Sequence, residues 1–379
     1  MIDIQTIQTP AYVLEEKLLI QNLELMKHVQ NEAGVQIIVA FKGFAMWSSF
    51  PLVKQYLAGA TASSENEARL CWEEMGCLAH TYAPVYAPDE FRNLLKYSSH
   101  ITFNSLSQYE RYASKVAKSQ FKVSCGLRVN PEYSDVATDL YNPCAPGGRL
   151  GVLHEQLNGE LPKGIEGLHF HALCESSSYE LEKVLNNFEK LFGQYLCQLK
   201  WVNFGGGHLM TRKDYDVAHL ISVLKAFRKR YPHLQVILEP GSAVAWQTGV
   251  LISTVLDIVE NRGIKILMPD VSFTAHMPDT LEMPYRPKIT GATDPVEGKP
   301  TYRIGGNSCL SGDFMMEYSF EKEVQIGDIL VFEDMIHYTM VKTTTFNGIA
   351  HPDIGIWKQD NTYQLVRRFN YRDYKNRLS

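Results

Sequence analysis

Four features of the sequence carry side chains or backbone suited to chemistry, and each follows a short apolar run. Lys42 stands in Val39-Ala-Phe-Lys42-Gly-Phe44, a cation framed by apolar side chains. Partial desolvation depresses the pKa of such an amine and lets it form a Schiff base with an aldehyde. A lysine just past a strand is, taken alone, more often a surface residue. Gly205, Gly206 and Gly207 let backbone amides approach an anion closely, although a tight turn uses the same residues. Glu239, in Leu238-Glu-Pro-Gly241-Ser, leaves an apolar run inward. A carboxylate there pairs with a protonated pyridine nitrogen and sustains carbanion chemistry, or else is buried against an arginine. His169 and His171 flank Phe170 and share a strand face by the period of two. One of them can stack on a cofactor ring; a hydrogen-bonded core histidine and a metal pair are the rival readings. Further on, Gly305-Gly-Asn-Ser-Cys309-Leu-Ser-Gly-Asp313 places a thiol in a glycine-rich loop, where it can be a proton donor, a nucleophile or inert. Tyr338 and Phe346-Asn347-Gly348 follow it.

These groups need elements to position them. Short apolar runs predict strands at Gln36–Ala40, Gly59–Thr61, Ala79–Tyr82, His100–Phe103, Lys122–Val129, Ile165–Phe170, Lys200–Phe204 and Gln235–Leu238. Amphipathic segments lie between them, one with Leu19, Leu23, Met26 and Val29 on one face and another with Leu181, Val184, Leu185, Phe188 and Phe192. Ser64 to Glu67 and Ser177 to Glu180 read as capping boxes. The alternation predicts an α/β chain with a (β/α)8 barrel over 15–247. A doubly wound sheet is the alternative, but no GxGxxG turn follows the first strand. From 248 to 379 the texture changes to an all-β domain, which residues 1–14 are expected to join. Its strands are expected at Leu251–Val259, Lys265–Met268, Thr301–Ile304, Ile329–Phe332, Tyr338–Lys342 and Gln364–Phe369, with Met283–Pro300 a loop. In a barrel, Lys42, His171, the three glycines and Glu239 all fall just past strand ends and converge on one mouth. Amine, anion cradle, carboxylate and imidazole together fit a pyridoxal 5'-phosphate (PLP) pocket; no metal is called for.

Composition bounds the rest. The 379 residues are 45% hydrophobic and 21% charged, enough for a sizeable core. Thirty-seven Lys plus Arg against forty-two Asp plus Glu give a net charge of −5, so no bulk positive field favours nucleic acid or an anionic membrane. Seven irregularly spaced cysteines without a CxxC pair read as reduced thiols. The N-terminus lacks the basic start and apolar core of a signal peptide, and the apolar stretch Val35–Trp47 is short and broken by Lys42. A cytoplasmic protein is expected.

In order, these residues resemble the fold III PLP decarboxylases, the group of ornithine, diaminopimelate and carboxynorspermidine decarboxylases. The resemblance is strongest to the carboxynorspermidine (carboxyspermidine) branch. It rests on Thr9-Pro-Ala-Tyr-Val13, Ala40-Phe-Lys42-Gly-Phe44, Tyr141-Asn-Pro-Cys144, Gly167-Leu-His-Phe-His171-Ala-Leu-Cys-Glu175, Trp201-Val-Asn-Phe-Gly-Gly-Gly-His208, Glu239-Pro-Gly241, Ala275-His-Met-Pro-Asp279, Cys309-Leu-Ser-Gly-Asp313 and Tyr338 to Gly348. It implies a homodimer with sites at the subunit interface, Lys42 as the Schiff-base lysine, His171 against the cofactor ring, Glu239 at the pyridine nitrogen, and Gly205 to Gly207 with Gly241 at the phosphate. Tyr338 would also contact the phosphate. Cys309 of the neighbouring subunit would return a proton to the α-carbon after carbon dioxide leaves. Ornithine and diaminopimelate enzymes carry an acid directly after that cysteine; here the position is Leu310. The departure favours a longer carboxylated polyamine, carboxynorspermidine or carboxyspermidine, over ornithine or diaminopimelate. Its cationic groups are expected to meet Glu239, His276, Asp279 or Asp313, with Glu282 and Glu317 as further carboxylates. A racemase on the same fold, a metal-dependent barrel hydrolase and a non-catalytic relative are the other readings; the presence of both Lys42 and Cys309 disfavours the last.

Overall fold

The structure is a computed structural model that describes residues 2–136 and 142–379; Tyr141, which opens one of the segments quoted above, lies outside the described residues. The chain divides into two compact units, one spanning Asn22–Val244 and the other combining the residues through Gln21 with Ala245–Ser379. Strand β1 (Ala11–Glu15) belongs to the second unit. The first unit is a closed barrel of β2 (Gln36–Ala40), β3 (Gly59–Ala62), β4 (Ala79–Tyr82), β5 (Ser98–Phe103), β6 (Ser124–Arg128), β7 (Ile165–His169), β8 (Trp201–Asn203) and β9 (Gln235–Leu238). Neighbours are parallel throughout, and β9 returns to β2 with Ile237 opposite Gln36. The strands read as nearly unbroken apolar runs because helices cover one face and the barrel interior the other.

The barrel interior is filled rather than open, and aromatic rings fill it. A Cβ on Gly126 or Gly167, in the neighbouring strands β6 and β7, would lie 2.2 or 2.1 Å from the Trp201 ring, so both glycines exist to admit that indole. Its Nε1 donates to Ser124 Oγ at 2.8 Å. His100 meets the indole edge-on at 5.2 Å and stacks on His80 at 3.9 Å. Burial chiefly pushes these two imidazoles down, to about 3 for His80 and about 4 for His100, so this layer is uncharged at neutral pH.

Local signals were obeyed closely. Ser177 and Glu180 form their capping box. Ser64 accepts from Glu67 N at 3.2 Å, but the Glu67 carboxylate reaches one residue further back, to Ser63 N at 2.6 Å. The helix Glu65–Leu70 runs directly into a π-turn, Cys71–Met75, which Gly76 ends at φ 72.

The second unit holds a mixed sheet. Its strands after β1 are β10 (Gly249–Asn261), β11 (Ile264–Pro269), β12 (Ala292–Thr293), β13 (Thr301–Gly305), β14 (Phe314–Phe320), β15 (Ile329–Glu333), β16 (Asp353–Trp357) and β17 (Tyr363–Arg367). They are ordered β12-β14-β13-β11-β10-β1-β16-β17, with β15 also on β10. β1 is antiparallel to β10 and parallel to β16. Tyr338–Lys342, expected as a strand, is a helical turn at Thr339–Lys342 entered through Tyr338 at φ 48. Thr339 anchors it by donating its hydroxyl to Asp279 Oδ2 at 2.8 Å. Four strands escaped the sequence pattern, β1 among them because it buries four successive residues. β14 buries consecutive residues instead of alternating, β16 carries a glycine, and β12 is two residues inside a proline-rich loop. Gly355 of β16 is needed because a Cβ there would sit 2.3 Å from the Tyr363 ring. Among the described residues no helix is long and apolar enough to cross a membrane.

The Trp201 fit makes a stability prediction. Gly167→Ala should lower the denaturation midpoint by an amount equivalent to about 1–3 kcal/mol, the usual result of overpacking a core. Adding Trp201→Leu should recover part of the loss, as checked by denaturant titration of the single and double variants.

Candidate active site

The C-terminal ends of the barrel strands bring the chemical groups together. Lys42 follows β2, Arg128 ends β6, His169 ends β7, Asn203 ends β8, and Glu239 follows β9. Asn203 joins three of the site's segments. Its Oδ1 accepts the Gly205 N–H at 2.8 Å, which fixes the amide orientation and turns Nδ2 onto Glu239 Oε1 at 2.6 Å. Glu239 N in turn donates to Gly205 O at 2.8 Å. On the other carboxylate oxygen, His169 Nε2 stands 3.6 Å from Oε2, ion-pair distance rather than a hydrogen bond. Burial alone would raise the Glu239 pKa; His169, Asn203 and His80 together outweigh it and hold the carboxyl below its ordinary value. Glu239 is an anion across the neutral range.

His171 is neutral for a geometric reason. Its Nδ1 accepts the Gly206 N–H at 2.8 Å, so that nitrogen carries no proton and the ring hydrogen sits on Nε2. Burial first, then Lys42 and Arg128, push its pKa well below the ordinary histidine value. Arg128 donates Nη2 to His171 O at 3.2 Å and lies 4.7 Å over the Tyr82 ring. The Lys42 side chain is exposed to solvent, yet its surroundings are crowded with protein atoms. That crowding and the Arg128 charge lower its pKa, while Glu239, Cys174 and Glu67 pull the other way.

The glycines leave room that no other residue leaves. At Gly206 a Cβ would stand 2.6 Å from Glu239 O and 3.3 Å from His171 Cε1. Gly205 and Gly207 sit at φ 67 and 88, with a Cβ on either less than 2.5 Å from a carbonyl oxygen. A Cβ on Gly43 would come 2.8 Å from Gly241 Cα, so the backbones after β2 and β9 nearly touch. An amine of lowered pKa, a fixed anion, a neutral imidazole and a side-chain-free backbone cradle suit an aromatic aldehyde bearing a phosphate. The residues present therefore fit PLP.

Comparison with known proteins agrees with that fit. A family profile described as pyridoxal-dependent decarboxylase, C-terminal sheet domain, matches residues 12–336. The chain belongs to the pyridoxal-dependent decarboxylases. A carboxyaminopropylagmatine decarboxylase of Synechocystis sp. is 53% identical over 375 residues, 99% of this chain and 96% of that one. A carboxynorspermidine/carboxyspermidine decarboxylase of Campylobacter jejuni is 45% identical, covering 98% of this chain and 99% of that one. The crystal structure of carboxynorspermidine decarboxylase from the same organism, complexed with norspermidine, has a TM-score of 0.90 at 44% identity, covering 98% of this chain and 100% of that one.

The sheet unit of this decarboxylase holds the other residues singled out. Cys309 is exposed on the loop between β13 and β14, its backbone N–H donated to Asn347 Oδ1 at 2.8 Å. Leu310 beside it is exposed as well. Asp313 is buried, and its carboxylate organises that loop rather than lining a surface. Oδ2 accepts from Ser272 Oγ at 2.8 Å and Ser308 N at 3.1 Å, and Oδ1 accepts from Thr274 N at 3.0 Å. A Cβ on Gly306 would land 2.2 Å from the same carboxylate. His276 is fully buried, with Nδ1 accepting from Ser272 N at 3.2 Å and Nε2 facing Ala350 O at 3.1 Å. Its pKa is pushed down to about 4, mainly by burial. Asp279 accepts from Tyr285 and Thr339 hydroxyls at 2.7 and 2.8 Å through Oδ2, leaving Oδ1 buried without a partner. Asp313 and His276, expected among the substrate contacts, thus spend their polar atoms inside their own unit. Tyr338 lies partly buried at the start of its helical turn.

Arg128 and Asn203 were given no role from the sequence, and Asn347 was noted only within Phe346-Asn347-Gly348. Arg128 and Asn203 had a signal, a lone polar side chain inside a run of apolar strand residues; such a residue, once buried, needs partners. Asn347 had only its Phe-Asn-Gly context.

Two predictions rest on this geometry. In the cofactor-free protein, Lys42→Met should raise stability at neutral pH. A lysine whose folded pKa is lowered destabilises the fold while both states are protonated, and the penalty fades as pH rises through the folded pKa to the unfolded one. The gap between variant and wild type should therefore narrow toward alkaline pH in denaturant titrations. Asp313→Asn places an amide donor against donors and should destabilise the sheet unit by about 1–3 kcal/mol. Because the Cys309 loop depends on it, turnover should fall by a similar factor for every substrate, measured as released carbon dioxide.

Proposed function

We propose that this decarboxylase acts on a long carboxylated polyamine, carboxynorspermidine or carboxyspermidine, and releases norspermidine or spermidine. The observation that carries the chemistry is the Asn203-held anion Glu239 facing the same barrel end as Lys42 and a neutral His171. PLP, when bound, supplies the electron sink for the pair left behind as carbon dioxide departs. Lys42, its pKa already lowered, would hold the aldehyde. Glu239 would face the pyridine nitrogen, and its lowered pKa keeps a negative charge there to favour the protonated ring. The backbone of Gly205 to Gly207 and Gly241, with Tyr338, would hold the phosphate. His171 would lie against the ring; being neutral, it adds no charge to oppose the cation that Glu239 stabilises. Arg128 would meet an anionic oxygen of cofactor or substrate. Cys309 of a second copy would return the proton to the substrate α-carbon, so the active form would be a homodimer, working in the cytoplasm.

The substrate follows from the relatives and from Leu310. The two relatives are named for carboxynorspermidine or carboxyspermidine and for carboxyaminopropylagmatine. These molecules share one reacting end, a 2-amino acid with a secondary amine at the fourth carbon, and differ in the tail beyond it. Leu310 offers no charge to a short diamine. The 53% identity to the Synechocystis enzyme supports a second reading, in which the tail ends in a guanidinium rather than an amine.

A substrate panel decides between them. Purified PLP-loaded protein is offered carboxynorspermidine, carboxyspermidine, carboxyaminopropylagmatine, diaminopimelate and ornithine, and carbon dioxide is measured. The long substrates should exceed the last two by at least about a hundredfold in kcat/KM, because a site built for buried polar groups strongly rejects analogues that leave them unpaired. Comparable values for ornithine or diaminopimelate would overturn the proposal. A lead of more than about tenfold for the guanidinium substrate would establish the second reading.

A further inference from the structure

Cys71 and Cys77 form a thiol pair in the barrel unit that the decarboxylase chemistry does not use. Cys71 is fully buried and Cys77 partly exposed, with their Sγ atoms 3.5 Å apart. The backbone explains how residues six apart meet. The π-turn Cys71–Met75 is wider than an α-helical turn, and Gly76 reverses the chain at φ 72. A Cβ at Gly76 would meet nothing within 4 Å, so glycine is required there by the left-handed backbone and not by space.

We infer that Cys71 and Cys77 are a redox modification site, which a small disulfide such as oxidised glutathione converts into an intramolecular disulfide. The two sulfurs are already in contact, and the bond forms by shortening that contact to about 2.05 Å within a short loop. Their environments divide the roles. The Cys71 thiol, the Ala60 N–H and Lys54 favour the Cys77 thiolate over the opposing effect of burial and bring its pKa down to about 7. Cys71 goes the other way, held protonated by its bond to Cys77 and by burial. Cys77 is thus the attacking sulfur and Cys71 the resolving one. The Cys77 thiolate attacks the small disulfide, forming a mixed disulfide and releasing one thiolate. Cys71 then gives up its proton and attacks the Cys77 sulfur, releasing the second. Two protein thiols are oxidised and one small disulfide is reduced to two thiols.

The site lies next to the chemistry without belonging to it. Cys71 is four residues beyond Glu67, on the same helix face. Glu67 caps Ser63 N just past β3, and its charge acts on Lys42. A bridge would tie down the end of the helix that carries this carboxylate.

The test is thiol mapping on the PLP-loaded full chain. After incubation with oxidised glutathione, remaining thiols are alkylated, the protein is digested, and the peptides are weighed. Cys71 and Cys77 should appear bridged, lighter by two hydrogens, unlabelled, and restored to two alkylated thiols by dithiothreitol. In Cys71→Ala, Cys77 should instead accumulate as the glutathione mixed disulfide. In Cys77→Ala, Cys71 should stay reduced. A stable mixed disulfide at Cys77 in the wild type would overturn the inference. So would both cysteines remaining reduced while exposed Cys174 and Cys197 take up glutathione. If Cys71→Ala does not fold, the wild-type peptide map alone decides.

Discussion

A carboxylate that must remain charged inside a barrel constrains everything around it. Removing Glu239 from water favours its neutral form, so the fold has to supply compensating donors within contact distance. Asn203 supplies one at 2.6 Å, and His169 and His80 add favourable electrostatics. The same Asn203 accepts from Gly205, so the group that holds the anion also sets the path of the glycine loop. That loop then donates from Gly206 to His171 and fixes the tautomer of the imidazole. One buried charge, one amide and one loop determine the states of the groups that line this end of the barrel.

The charge balance of the barrel end follows from this arrangement. Lys42 and Arg128 bring two cations near the carboxylates Glu239 and Glu67, and a protonated His171 would have added a third cation. Accepting a backbone N–H removes that option, because a nitrogen already receiving a hydrogen bond has no lone pair left for a proton. The side-chain-free backbone of Gly205–Gly207 leaves space for an anionic guest beside these cations. Next to them, His80, His100 and Trp201 form a stacked aromatic layer.

How much of this was legible depended on how local each signal was. The barrel strands were readable because parallel strands buried on both faces are short apolar runs, and β2, β4 and β9 have the bounds expected of them. Lys42, His171, the glycines and Glu239 were readable because each is a chemically unusual residue just past such a run. Tyr338–Lys342 failed because a five-residue apolar stretch carries no period long enough to separate strand from helix. The left-handed Tyr338 and the Thr339–Asp279 bond decide it, and both depend on residues sixty positions away. The orientation of His276 and Asp313 was not legible for a related reason. Sequence shows that a carboxylate or imidazole is present near a functional loop, but not whether it points outward or turns in to organise the backbone.

The carboxylates of the sheet unit therefore differ in how readily they can change partners. Asp313 holds two backbone N–H groups and a serine hydroxyl, and releasing them would leave buried donors unsatisfied at about 1–3 kcal/mol each. Asp279 is committed to Tyr285 and Thr339 in a buried position. Glu317 accepts both Nε and Nη2 of Arg303 on one oxygen, Oε1, at 3.2 and 2.7 Å. Glu282 is different. It pairs with Lys342 at a side-chain exposure of 59% against 34%, and an exposed lysine–carboxylate pair is worth only about 0–1 kcal/mol. Among these four acids Glu282 is the most exposed, on the short helix Asp279–Glu282 whose first residue is locked by Tyr285 and Thr339.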